Sequence, residues 1–345
     1  MRAKVVKSPG DLKLFELESQ SPLILAGQEG AEGFFEAASS TARPDQRAVG
    51  GIVPGVIGHE GESPSWALVL DVPEALDVQL VDPLEPRARW VEGTRSAFVL
   101  AEGLSTSLLF ALEEVNEDLK GVPLFGLGCG SFPPGRTHPL LWGEERIGGR
   151  LILLLLPHRA SVGISHGFKP VRGPFLAICA RNRVVSLDLR PAAEVYAQAL
   201  RELTGRALGE EELKELLPLY PLGFTTEGRR TVIRDPFQVT PEGHLLCVGD
   251  LPSRGLVRIM SAERESLLQA VKALPAPEGD EVISLAFDCV SRKLLLGEGF
   301  EVELEALRVA LGPRGAGVLS LGEIGPGDEL ATFHNKSAVL CRLKA

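Results

Sequence analysis

Short apolar runs, each bounded by glycine or proline, recur along the whole sequence. The chain has 38 glycines and 25 prolines among 345 residues, too few and too irregular for a collagen or a low-complexity tract. Apolar runs of this kind between such breaks are typical of β-strands. They predict strands at residues 23–26, 66–70, 97–101, 122–127, 151–156, 161–166, 175–179, 184–187, 231–234, 245–248, 256–260, 282–287, 317–321 and 338–343.

Fewer segments have the apolar spacing of helices. Ser105 can cap a helix that ends at Gly121, and Pro191 stands at the first turn of a helix that ends at Gly205. Further helices are predicted at residues 210–217, 261–274 and 302–311. Strands outnumber helices and alternate with them irregularly, which indicates an α+β fold with mixed β-sheets flanked by helices. The length suits two domains, and since no loop is long enough for a flexible tether, we expect two closely packed segments.

The charge and the apolar runs exclude several classes of protein. A formal net charge of −10 disfavours binding to nucleic acid or insertion into anionic membranes, because both partners attract basic proteins. The longest apolar run, 151–156, is far shorter than the roughly 20 residues of a membrane span. Since the basic N-terminus leads into Ser8 and Pro9 and lacks the pattern of an export signal, we expect a cytoplasmic protein whose five cysteines are reduced.

Three local patterns match known catalytic or ligand-binding motifs only in part. Residues 124–131 are glycine-rich, but Phe132 and Pro133 follow where a phosphate loop needs a helix to open, so we favour a tight backbone turn. His59 lies beside two glutamates, which suits a surface metal site or a solvated loop. Ser320 lacks the first glycine of a nucleophile elbow. No histidine spacing predicts a metal cage, whereas haem needs one axial histidine and stays possible.

The densest group of polar residues lies near the C-terminus. Glu323 stands between a predicted strand and a Gly-Pro turn, and His334 and Asn335 follow soon after. The Glu323 carboxylate could accept hydrogen bonds from a ligand ammonium, while His334 and Asn335 could supply donors and acceptors. The same side chains could instead satisfy the backbone of turns. Chemistry alone leaves both interpretations open.

Five sequence motifs, in order, resemble those of one known family. The segment Gly322-Glu323-Ile324-Gly325-Pro326, followed by Phe333-His334-Asn335, Ser337 and an apolar final strand, resembles the closing signature of the FIST family. The earlier pieces that resemble the family are a small-residue turn with acidic residues at 49–62, a Gly-x-x-Pro turn at 165–174, a helix start at 188–192 and a Phe-x-Cys-x-x-Arg segment at 287–292. Phe168 and Gly51 stand where relatives often carry cysteine.

The resemblance implies an N-terminal extension at 1–19, a FIST N-terminal domain at 20–190 and a FIST C-terminal domain at 191–345. It implies a bacterial sensory module for a small ligand, with amino acids as a favoured suggestion, and not an enzyme. Relatives are often fused to histidine kinases, chemotaxis receptors or cyclic-nucleotide signalling enzymes. Because the chain has no room for such an output domain, we expect a stand-alone sensor that signals through a partner. Some relatives resemble haem proteins that sense nitric oxide, which is the alternative function.

We predict ligand contacts for Glu323, His334, Asn335 and Arg292, with no catalytic and no metal-binding residues. Arg292 could bind a ligand carboxylate while Glu323 faces its amine, or it could form a structural ion pair with Glu323 or Asp288. Cys289 is included in the site, although we expect it to be packed and not reactive. A close approach of Cys289 to His334 would favour an enzyme, because a thiol beside an imidazole is activated.

Overall fold

The computed structural model describes residues 1–135, 137–224, 230–274, 281–328 and 330–344, and at residues 281 and 282 it describes the backbone alone. The strands in the first half are β1 (Arg2–Val6), β2 (Leu23–Gly27), β3 (Val49–Val53), β4 (Gly55–Gly58), β5 (Gly61–Ser63), β6 (Ala67–Asp71), β7 (Asp77–Val81), β8 (Ser96–Glu102), β9 (Leu124–Cys129), β10 (Leu140–Trp142), β11 (Glu145–Ile147), β12 (Leu151–Leu156), β13 (Arg159–Ser165), β14 (Lys169–Ala180), β15 (Arg183–Leu187) and β16 (Arg190–Pro191). The strands that follow are β17 (Leu222–Phe224), β18 (Val232–Arg234), β19 (Pro236–Val239), β20 (Leu245–Cys247), β21 (Arg254–Ser261), β22 (Glu281–Cys289), β23 (Ala316–Ser320), β24 (Glu323–Pro326), β25 (Ala331–His334) and β26 (Ala338–Lys344).

The helices are α1 (Pro9–Lys13), α2 (Ala31–Thr41), α3 (Leu108–Asp118), α4 (Ala192–Thr204), α5 (Glu210–Leu216), α6 (Arg264–Lys272), α7 (Val290–Leu296) and α8 (Phe300–Leu311), with 3₁₀ turns at Leu217–Leu219 and Gly297–Gly299. The α+β prediction is confirmed. Within the described ranges, no helix combines the length and the apolar character needed to cross a bilayer.

Three six-stranded sheets surround one apolar core. Sheet I has the order β1-β6-β2-β3-β10-β11, sheet II β25-β24-β9-β8-β12-β7, and sheet III β13-β26-β22-β23-β4-β5. Leu25, Phe125 and Phe287, one from each sheet, meet in this core. The outer faces are covered by α1 and α2 on sheet I, by α3 on sheet II, and by α6 and α8 on sheet III. The central strands of each sheet are therefore buried on both faces, as mixed sheets under helices require.

A fourth sheet extends from this core. Sheet IV has the order β18-β17-β21-β14-β15-β20-β19, with β16 paired to β15, and packs one face against α4 and α5. Sheets II, III and IV each combine strands from before and after residue 190. The two segments are thus interleaved through shared sheets. Residues 1–19 contain β1, which pairs with β6, and α1.

The glycine-rich stretch at 124–131 is mostly strand β9. Gly128 passes so close to the closing motif that a Cβ at this position would lie 2.6 Å from the Leu321 carbonyl oxygen. Hydrogen bonds link Gly128 N to Gly322 O at 2.8 Å and Leu321 N to Gly128 O at 2.9 Å. The preference for a tight backbone over a phosphate loop is confirmed, because only glycine leaves room for these contacts.

Candidate functional site

Arg292 is the centre of a group of buried charges. Its guanidinium is fully buried and donates two parallel hydrogen bonds to Glu303 on α8, at 2.8 Å and 2.7 Å. It also donates to the carbonyl oxygens of His166, Leu267 and Lys336 at 2.8, 2.9 and 3.2 Å. Every nitrogen of the guanidinium therefore serves the protein itself, and the side chain fastens α7 to α6, to α8 and to two turns.

Asp288 and Glu323 complete this group, and we call the four side chains Asp288, Arg292, Glu303 and Glu323 the closing cluster. Asp288 Oδ1 lies 3.3 Å from Arg292 Nε. Burial, followed by the negative charge of Glu303, holds the pKa of Asp288 well above its usual range against the opposing charge of Arg292. Of the two structural ion pairs predicted for Arg292, the structure contains the one with Asp288.

Glu323 is fully buried and is the first residue of β24, which forms a hairpin with β25. Its carboxyl accepts a 2.6 Å hydrogen bond from Ser320 Oγ and a 3.4 Å hydrogen bond from Ser337 N. Burial raises the pKa of Glu323 to about 8, although the hydrogen bonds from Ser320, Ser337 and Cys289 work in the opposite direction. The carboxyl is therefore largely protonated at neutral pH.

Asn335 lies in the turn that joins β25 to β26 and satisfies backbone groups of this turn and of the segment between β18 and β19. Its Oδ1 accepts from Asp235 N at 3.3 Å and its Nδ2 donates to His334 O at 3.3 Å. In the same turn Lys336, which is 1% exposed and has a φ of 52°, places Nζ 3.0 Å from Asp235 Oδ2. These contacts match the turn-stabilising interpretation of Asn335.

Cys289 is buried and contacts Glu323, whose carboxylate accepts a hydrogen bond from it. Burial raises the pKa of the Cys289 thiol far above its usual range, and the charge of Glu323 raises it further. The thiol is thus kept protonated, which agrees with a packed role. This environment does not activate a nucleophile.

Next to the closing cluster lies a cleft of about 710 Å³, which we call the histidine cleft. Its walls come from the turn between β13 and β14, from residues 230 and 231 before β18, from the first turns of α6, and from the end of β25. The polar side chains that define it are His166, Lys169, Arg230, Glu263, Glu265 and His334. Its volume lies within the range of small-ligand sites.

Both histidines of the cleft are neutral at pH 7. Burial, followed by the charge of Arg292, lowers the pKa of His166 to about 4. Burial, followed by the charge of Arg234, lowers the pKa of His334 to about 3. His166 Nδ1 accepts from Phe168 N at 2.9 Å, and His334 Nε2 lies 3.2 Å from Pro326 O. The two imidazoles form an uncharged wall between charged side chains at the rim.

The rim of the cleft carries both signs of charge. Lys169 and Arg230 are exposed cations, whereas Glu263 and Glu265 are exposed anions at the start of α6. A cation pair can hold a carboxylate, and a carboxylate pair can hold an ammonium group. The arrangement therefore suits a small molecule that carries both charges.

The cleft does not fit a haem. Phe168 N and a backbone group of Thr231 form hydrogen bonds with the His166 ring, and the His334 ring forms hydrogen bonds with the backbone of Pro326 and Gly325. Axial ligation would have to break these bonds, and the rim is charged where a porphyrin needs apolar walls. Within the described part of the chain, no group of three His, Cys, Asp or Glu side chains is placed to hold a metal ion.

Of the five predicted site residues, His334 alone lines the cleft. The other four are buried in the protein and do not line the cleft: Arg292, Glu323, Cys289 and Asn335. The anion-clamp role of Arg292 has no support, because Glu303 and three carbonyl groups already take its donors. Arg230, Glu263 and Glu265 were missed, since they stand singly in loops or at element ends. His166 and Lys169 were within the quoted motif at 165–174 and could have been found there.

Comparison with protein-family models gives two adjoining matches. Residues 24–190 match the FIST N domain and residues 192–326 match the FIST C domain. No curated protein shows significant similarity to the chain. The two matches cover most of the interleaved sheets described above, including the turn with His166 and the hairpin strand that carries Glu323.

Proposed function

The chain belongs to the FIST family of sensory modules in signal transduction, and on that basis we propose that it is a sensor that binds a small zwitterion, such as a free amino acid, in the histidine cleft. The observation that carries the proposal is the combination of two neutral imidazoles, one buried and one half-buried, with cations and anions at one rim. Arg230 and Lys169 would hold the carboxylate, and Glu263 and Glu265 the ammonium.

The contacts of Arg292 suggest how ligand binding in the cleft would affect elements outside it. Its guanidinium holds the carbonyl of His166 on one wall and the carbonyl of Leu267, in α6, on the other. A ligand that draws the two walls together would change the geometry of these two hydrogen bonds. Arg292 also pairs with Glu303, which connects both hydrogen bonds to α8. The expected recipient is a separate signalling protein, such as a histidine kinase, a chemotaxis receptor or a cyclic-nucleotide signalling enzyme. We propose no catalytic step.

A thermal-shift titration with free amino acids tests the proposal. A ligand at a hundredfold excess over its dissociation constant should stabilise the fold by about 2.7 kcal/mol. Arg230→Ala should weaken binding of the amino acid by about tenfold or more and leave a decarboxylated amine analogue unaffected. Glu263→Gln should do the reverse, sparing a carboxylate analogue that lacks the amine.

Arg206→Ala and Glu210→Gln are the matched controls, because both side chains are exposed and neither lines the cleft. Both should titrate like the parent chain. A screen in which no amino acid, carboxylate or amine shifts the melting temperature would overturn the proposal. So would a bound amino acid whose affinity is unchanged in both cleft variants.

A further inference from the structure

Sheet IV is covered on one face only for much of its length. Ala177 and Cys179 of β14 and Val257 of β21 point toward α4, where Tyr196 and Leu200 bury them. The opposite face is closed near the end of β21, where Met260 packs with residues of α6 such as Leu267. Farther along, no described element covers it, and the alternate residues of β14 and β21 are exposed.

Three apolar side chains lie together on this uncovered face. Leu176 and Ile178 alternate along β14, and Leu176 is the cross-strand partner of Leu256 on β21. Their exposed fractions are 41%, 36% and 48%. Cross-strand partners and residues two apart share one face of a sheet, so the three form a continuous apolar patch in its middle.

Two arginines border the patch without compensation. Arg254 is the cross-strand partner of Ile178, and Arg258 follows Leu256 by two residues on the same strand face. Among the described residues, neither forms an ion pair. An acidic chain, with a net charge of −10, thus has two cations without ion-pair partners beside exposed apolar side chains. Exposed apolar patches bordered by one sign of charge are typical of surfaces that bind a partner of opposite charge.

We propose that this face of sheet IV, defined by Leu176, Ile178, Leu256, Arg254 and Arg258, binds an acidic amphipathic helix of a partner protein. Both β14 and β21 have hydrogen-bonded neighbours on both edges, so a partner cannot be added as a strand. A helix is the element that covers sheet faces, as α4 does on the other side. Apolar residues at i, i+3, i+4 and i+7 would meet the leucines, and flanking carboxylates would meet the arginines.

Other occupants fit the charges less well. A second copy that used the same face would bring the same arginines together, since a two-fold interface repeats its own residues. An anionic membrane would attract the two arginines but repel a chain with a net charge of −10. The inference does not rest on the histidine cleft, because the patch lies several residues along β14 from Lys169.

The test is fluorescence anisotropy with two labelled helical peptides of about 20 residues. One carries leucines along one face with glutamates beside them, and its twin has lysine at each glutamate position. The parent chain should bind the glutamate peptide about tenfold tighter than the lysine peptide, with a difference that shrinks as salt is added. The double variant Arg254→Glu/Arg258→Glu should reverse this preference, and Leu256→Asp should abolish binding of both.

The double variant Arg206→Glu/Arg314→Glu is the control, because it makes the same change in net charge at exposed sites outside the patch. It should keep the preference of the parent chain. Equal affinity for the two peptides, absence of binding to either, or an equal effect of the control would each overturn the proposal. So would a change from dimer to monomer in Leu256→Asp, which would identify a second copy as the occupant, or binding to anionic vesicles that depends on Leu256. Melting curves establish that each variant is folded.

Discussion

The closing cluster and the histidine cleft are adjacent, yet their charges are arranged in opposite ways. In the cluster three carboxyl groups and one guanidinium are fully buried, and the Arg292 guanidinium and the Glu303 carboxylate are paired with each other. In the cleft the charged groups are exposed at a rim, and the imidazoles behind them are neutral, with His334 buried and His166 half-buried. Arg292 connects the two regions through the carbonyl oxygen of His166.

This difference separates the residues that identify the family from those available to a ligand. Glu323, Arg292 and Cys289 carry the motifs by which the sequence resembles its relatives, and all three lie inside the protein. Buried charges are costly unless fully partnered, so such a cluster constrains which residues can stand at these positions. The rim side chains Lys169, Arg230 and Glu263 have no such constraint, and they can differ where ligands differ.

The largest effect should come from removing the cation of the closing cluster. Arg292→Met leaves the Glu303 carboxylate buried without its partner and frees three carbonyl groups, so we expect a loss of about 3–5 kcal/mol in the free energy of unfolding. Guanidinium chloride denaturation measures this loss. The double variant Arg292→Met/Glu303→Gln should recover part of it.

An ion pair at the surface gives a matched control. Lys214 pairs with Glu211, and the two side chains are 58% and 81% exposed, so Lys214→Met should lower the free energy of unfolding far less than Arg292→Met does. Equal costs for the two variants would mean that the cluster does not support the fold more than a surface ion pair does.

A smaller but still large effect is expected at the wall of the cleft. Gly167 has a φ of 79°, and a Cβ at this position would lie 2.5 Å from Ser266 O on α6. Gly167→Ala should therefore cost about 2–4 kcal/mol through backbone strain and overpacking, and it should weaken ligand binding by displacing His166. At Gly135 a Cβ meets no atom within 4 Å. Gly135→Ala is therefore the control, and a similar loss in both variants would contradict the tight packing of turn and helix.

The sequence predicts the elements of the fold better than the contacts between them. The run at Leu151–Leu156 has the predicted bounds, because a continuous apolar run is buried on both faces. The strands Glu323–Pro326 and Ala331–His334 were missed, since Gly325 and Pro326 mark a turn by composition. Helix Ala31–Thr41 was also missed, because Gly33 and two serines weaken its pattern.

The site could be predicted only in part, for a physical reason. Motifs led to Glu323 and Arg292, but a sequence does not reveal whether a charged side chain at a strand end faces a cleft or the interior. Glu303 lies among the apolar residues of α8 and gives no signal of burial. Arg230 and Glu263 come from separate loops, and their meeting depends on the interleaving of sheets III and IV with α6.

The two regions should also differ in how pH affects their stability. The pKa of Glu323 is about 8 in the folded chain and about 4.5 when unfolded, so the folded state binds more protons between these values. Stability from this group is fully present below pH 4.5 and is lost as the pH rises to about 8, by a few kcal/mol in total. Glu323→Gln resembles the protonated form and should remove this decline. Urea midpoints at pH 6 and pH 8 measure it, with the exposed Glu301→Gln as control, and an unchanged decline in Glu323→Gln would contradict the raised pKa.

The stability contributed by the cleft should depend on pH in the opposite direction and somewhat less strongly. The folded pKa of His334 is about 3 against 6.5 when unfolded, so the unfolded state binds more protons between these values, and stability is lost as the pH falls from 6.5. Between pH 7 and pH 5 the loss from His334 should be about 2 kcal/mol. His334→Gln should remove this part and leave the similar part from His166, whose folded pKa is about 4, whereas His138→Gln, at an exposed position, controls for the loss of one histidine. Urea midpoints with the same acid dependence in both chains would mean that His334 is charged in the folded state, and the contrast between the closing cluster and a neutral cleft wall would then fail.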